Sequence, residues 1–149
     1  MNGFVTSLEA RPDLTLEQLN RTRQLMNTNV RDCLVEGYQS LIPALELPDP
    51  GDRHILAAAI RANASVIVTF NLKDFPQYYL EAYGIEAQHP DQFIVHLIDL
   101  NQAKVCRAAE EQRGSLQNPP KTAEQYLDTL LKQGLIQTVS LLRALCFHF

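Results

Sequence analysis

PDPGDRHILAAAIRANASVIVTFNLKDF, residues 48–75, alternates between two chemistries. A proline-bracketed acidic turn leads into an Ala-rich helix, and an apolar run, Val66-Ile67-Val68, follows it. A polar turn from Asn71 to Asp74 closes the stretch. The β-branched run reads as a strand covered by helices on both faces, the pattern of a parallel α/β sheet. In such sheets ligands gather beyond the carboxyl ends of the strands. Asp52 fits the N-cap of the helix that runs to about Ala62. Asp49 lies just before it, and Asn71 and Asp74 lie just after the strand. Oxygen donors converging from these two places suit a hard divalent cation such as Mg²⁺ or Mn²⁺. Such an ion activates water and stabilises charge on a phosphoryl oxygen. The bland reading of the same residues is a plain N-cap and a solvated turn.

Upstream, Phe4, Val5 and Leu8 have near-helical spacing, and Arg11-Pro12-Asp13 breaks that segment. Thr15 and Gln18 form a capping box for the next helix. Arg21, Arg23 and Arg31 decorate that region, as a solvated face or as a phosphate-contacting one. Leu34-Val35 reads as a short strand, with Gly37 opposing a continuous helix. Pro43, Pro48 and Pro50 enforce an extended passage.

Downstream, residues 75–83 read as a short helix closed by Gly84, and residues 85–87 as a short strand. His89-Pro90-Asp91 is a helix start that turns Phe93, Ile94, Leu97 and Ile98 inward. From Asn101 the pattern is helical only. Asn118-Pro119-Pro120 interrupts it, Thr122 and Gln125 form a second capping box, and Gly134 ends the following helix. Ala123, Tyr126, Leu127, Leu130 and Leu131 make a buried stripe. Leu135, Val139, Leu142 and Cys146 make another, so the last two helices form a hairpin.

Composition bounds the function without naming it. The 149 residues suffice for one cored domain with a helical appendix. The net charge of −4 gives no global nucleic-acid signature, so any RNA contact must be local. Cys33, Cys106 and Cys146 are odd in number and lack metal-ligand spacing. They read as reduced thiols filling core space in a cytoplasmic protein. No leader or membrane-length apolar run is read from the sequence. His54, one turn from Asp52, either touches substrate or lies on the surface of the helix's first turn. His89 reads as a helix-entry residue, His96 as a partly buried face residue, and His148 as part of a terminal tail. Zinc spacing, nucleophile elbows and glycine-rich phosphate loops are absent from the sequence.

PDPGDRHILAAAI, ANASVIVTFNLKDFP and YGIEAQHPDQFIVHLIDL together resemble the carboxy-terminal part of PIN domains of the VapC toxin type. The closest likeness is to a subgroup with D-x-x-D-x-x-x-L-A-A-A and V-T-x-N-x-x-D-F; RPDLTLEQLNRTRQLM and the helices around NPP extend it along the chain. The resemblance implies a three-layer fold, a parallel sheet flanked by helices, with a C-terminal helical hairpin. It implies endoribonuclease activity of toxin–antitoxin type with Mg²⁺ or Mn²⁺. By motif match Asp52 is the acidic residue at the helix start. Asp74 and Asn71 are the polar positions after the strand, Asp49 is a further cation ligand, and Thr69 orients the site. RNA, an antitoxin protein and a homodimer are the implied partners, with no membrane.

The resemblance also implies an Asp-ending first strand and a Glu-bearing helix, for which the chain offers no counterpart; Glu9, the only acidic residue before the Arg-Pro break, falls too late to match that Glu. The expectation is therefore an N-terminally incomplete PIN-like domain over residues 1–100 and a helical extension over 101–149. Cation binding and nuclease activity would be impaired. The alternative is a non-catalytic remnant that binds a protein partner or itself through an open sheet edge.

Overall fold

The computed structural model describes residues 34–147. They form a mixed α/β structure, mostly helical, with a two-stranded parallel sheet. Two compact units share them. One holds the described residues through Ser65 together with Asp74–Ile85; the other holds Val66–Lys73 and the residues from Glu86 onward. The helices expected around Leu8 and from Thr15 lie outside the described residues, as do Arg21, Arg23, Arg31, Cys33 and His148.

In the first unit, a 3₁₀ helix Gln39–Ala44 precedes the acidic turn, itself a 3₁₀ turn over Pro50–Asp52. Helix α1 (Arg53–Arg61) follows at once and buries Leu56, Ala57 and Ala59. Leu45, Leu47, Phe75, Leu80 and Ile85 are the other large apolar side chains buried in this unit, with Tyr38. Helix α2 (Gln77–Leu80) runs into a 3₁₀ turn that Gly84 closes at φ +66°. This is the left-handed conformation that glycine adopts without Cβ strain. The expected strand at Leu34-Val35 does not form: the segment is irregular and pairs with no described strand. A strand needs a ladder partner for its backbone groups, and local β-propensity does not replace one.

In the second unit, β1 (Val66–Val68) pairs in parallel with β2 (Glu86–Gln88), Ile67 lying opposite Ala87. The reading of β1 as covered on both faces fails at Val68, which is 43% exposed while Ile67 is buried. Among the described residues β2 is its one neighbour, and alternate side chains of a strand leave on opposite faces.

Four helices follow: α3 (Pro90–Leu100), α4 (Gln102–Ser115), α5 (Ala123–Lys132) and α6 (Ile136–Leu145). The Thr122–Gln125 capping box is fully formed, with both hydrogen bonds present. Ile98, Ala109, Tyr126, Leu127, Val139, Leu142, Cys146 and Phe147 form one core cluster; of the two expected stripes Leu131 departs, 44% exposed. Leu127 is fully buried, so Leu127→Ala would remove roughly 2–5 kcal/mol. Burial pushes the Tyr126 hydroxyl above its ordinary pKa, and that hydroxyl donates a hydrogen bond to Gln112 Oε1.

Cys106 and Cys146 are joined in a disulfide, which overturns the reading of these two cysteines as free thiol fillers. Their separation of 40 residues hid a proximity that only the packing of α4 against α6 creates. His96 is exposed rather than half-buried. Among the described residues no helix is long and apolar enough to cross a membrane.

Candidate functional site

The acidic turn is built by its own backbone. Asp49 has extended backbone angles, and its carboxylate accepts a hydrogen bond from the Gly51 N–H at 2.8 Å. A Cβ on Gly51 would sit 3.1 Å from that carboxylate oxygen, so the absence of a side chain lets the turn close. Asp52 then occupies the N-cap position of α1 but makes no side-chain cap bond. The expected position is borne out, whereas the expected capping is not. Its carboxylate is left for something else.

Electrostatics describe what surrounds that carboxylate. Burial pushes the Asp52 pKa up, the charges of Asp49 and Asp74 push it further, and His54 pulls the other way. Three acidic side chains and one imidazole of the same unit thus feel one another. His54 Nδ1 bonds the Gly51 carbonyl at 2.7 Å, and as the donor in that bond it carries the ring proton. Nε2 is buried and has no hydrogen-bond partner among the described residues. A buried polar nitrogen left unpaired is costly, so His54 is more than a surface residue of the first turn.

The donor chemistry at this turn is oxygen, suited to Mg²⁺ or Mn²⁺. Yet among the described residues no group of three or more His, Cys, Asp or Glu side chains gathers as a metal centre. The carboxylates repel one another without closing into a ligand set.

The polar turn after β1 belongs to the second unit. Thr69 N–H donates to the Gln88 carbonyl at 2.9 Å, extending the sheet by one rung. Thr69 Oγ1 accepts from the Asn71 N–H at 3.0 Å, so the hydroxyl shapes the turn. Between them Phe70 stands 61% exposed, edge-to-face with His89 at 5.3 Å. Sequence reading passed over Phe70, and its alternation with the exposed Val68 was the available signal.

Asp91 is the other carboxylate that spacing could not interpret. It sits in the first turn of α3, and its two oxygens accept from Gln137 N–H at 3.0 Å and Thr138 N–H at 2.8 Å. It therefore caps α6 from another helix. Burial works to raise its pKa, but these hydrogen bonds outweigh burial and hold it below the ordinary carboxylate value.

The architecture and this turn define a mixed α/β protein with a carboxylate-lined helix start. Residues 90–144 match the family model described as the VapC50 C-terminal domain. A protein of Mycobacterium tuberculosis (strain ATCC 25618 / H37Rv) named "Putative ribonuclease VapC50" is 41% identical over 97 residues. That match covers 65% of this chain and 57% of the relative, so the chain spans little more than half of the curated protein it resembles. No solved structure matches. Over the matched residues the chain is similar to VapC-type toxins.

Proposed function

We propose that this chain is a PIN-like part of a metal-dependent endoribonuclease of toxin–antitoxin type, acting on RNA phosphodiester bonds in the cytoplasm. The observation that carries the reading is Asp52, a helix-start carboxylate with no cap bond, raised by burial and by Asp49 and Asp74. Carboxylates that repel one another are stabilised by a divalent cation, and a cation lowers the pKa of bound water. Asp52, Asp74 and Asp49 are the proposed cation ligands, Asn71 a catalytic polar group, and Thr69 and His54 substrate-orienting groups. Activity of this chain by itself is expected to be low. A PIN-like three-layer arrangement over residues 1–100 and a helical extension over 101–149 are the proposed domains. RNA and an antitoxin protein are the proposed partners.

A second reading has one observation in its favour. The exposed Val68 and the single described neighbour of β1 leave an apolar strand available to another chain. In that reading the chain is a non-catalytic module that pairs with an antitoxin or with its own copy.

The test is Mn²⁺-dependent cleavage of a structured RNA by the native chain and by Asp52→Asn. Weak cleavage by the native chain and none by the variant is the expected result. Equal rates would remove Asp52 from the site, and no cleavage by either chain would favour the binding module.

A further inference from the structure

We propose that Phe70 is a stacking platform for an unpaired nucleobase, with His89 and the pocket beside it holding the same nucleotide. The inference rests on the ribonuclease reading and adds to it how the substrate is gripped.

Phe70 is 61% exposed, which leaves most of the ring open to solvent. It is nonetheless held. The Thr69–Gln88 and Asn71–Thr69 hydrogen bonds fix the backbone on either side, and the His89 ring meets it at 89°. His89 is fixed in turn, because its Nδ1 accepts from the Asp91 N–H at 3.1 Å. The ring proton then sits on Nε2, a donor suited to a phosphate or a base edge. His89 lines a pocket of about 510 Å³ with Asp91, Gln92, Val95, His96 and Gln137. That volume lies within the range of small-molecule sites, and its amides and imidazoles can both give and accept hydrogen bonds.

Charge argues the same way. With a net charge of −4 the chain gains little from long-range attraction to phosphates. Stacking on an aromatic ring needs no net positive charge and tolerates any base, since every base has a π-face. It does require the base to be unpaired, which selects single strands, loops and bulges over duplex.

The sequence contains no Trp, so Phe70→Trp installs a single fluorescent reporter at the platform. The full chain would be titrated in EDTA, which suppresses divalent-dependent cleavage, with a single-stranded oligoribonucleotide and with its duplex. Expected are quenching of the Trp variant by the single strand alone and, by anisotropy of a labelled oligoribonucleotide, affinity weakened about tenfold in Phe70→Ala and kept in Phe70→Tyr. Circular dichroism should be unchanged, as suits an exposed position. Native-like affinity in Phe70→Ala, or equal quenching by duplex, would overturn the platform. If the native chain still cleaves RNA with Mn²⁺ in that case, the ribonuclease reading survives it. RNA neither bound nor cleaved would take both down. A Phe70→Ala chain that changes oligomeric state at unchanged RNA affinity would make the exposed Val68, Phe70 and Leu72 a protein contact instead.

Discussion

Asp52 and Asp91 both stand at the start of a helix, and they meet opposite fates. Asp91 receives two backbone N–H groups of α6 and is held ionised below the ordinary range. Asp52 receives no cap bond, faces two like charges and is pushed up. The difference teaches which polar groups serve the fold and which are held in reserve. Around Asp91 both carboxylate oxygens are satisfied by backbone N–H groups, and the core of the same unit holds a disulfide. Around Asp52 the carboxylates repel, and a buried imidazole nitrogen has no partner among the described residues. Carboxylates whose surroundings shift them in that way recur at functional sites.

The comparison can be broken first at the disulfide. Closing a loop over 40 residues restricts the unfolded chain by on the order of 4 kcal/mol. Reduction, or the double change Cys106→Ser with Cys146→Ser, should lower the denaturant midpoint by a corresponding amount. A midpoint unchanged by reductant would remove the clamp from the helical unit's stability. Next is Asp91→Ala, which strips a cap from α6 and should cost about 1–2 kcal/mol in denaturant unfolding. The Asp91 contribution also has a sign in pH. Its folded pKa is lowered, so the contribution is full above the unfolded value of about 3.9 and is lost as pH falls through the folded one. Subtracting the stability profile of Asp91→Asn from that of the native chain should show this loss on the acid side.

Asp52 should show the smallest effect, with the opposite sign. Its raised pKa means that the native chain gains stability as pH falls from neutral through that pKa. In metal-free buffer at neutral pH, Asp52→Asn should therefore be neutral or more stable by a few tenths of a kcal/mol, because the group is partly solvated. A variant clearly less stable than the native chain would make Asp52 a structural cap after all, erasing the contrast with Asp91.

What the sequence made legible was local. Capping at Thr122, the interruption at Asn118-Pro119-Pro120, the αL closure at Gly84 and the strand at Val66–Val68 each depend on neighbours a few residues away. The acidic turn was legible too, because Asp49, Gly51 and Asp52 are adjacent in the chain. What stayed hidden depends on distant partners. Nothing near Leu34 says that no strand will pair with it. Nothing near Asp91 says that Gln137 and Thr138 need a cap, and nothing near Cys106 says that Cys146 will reach it. The burial of His54 Nε2 is of the same kind, since exposure is a property of the packed unit.

The bond between Cys106 and Cys146 also gives the chain a covalent topology. Most of α4, all of α5 and all of α6 lie on a closed ring, with Gly114, the Asn118-Pro119-Pro120 turn and Gly134 along its circumference. A protease that cuts at the Asn118-Pro119-Pro120 turn or at Gly134 opens the ring without releasing a fragment. The nicked chain would keep its mass and run as one species until a reductant is added. Both cut ends would stay tethered to the same core, so cleavage there would pass unseen on a non-reducing gel.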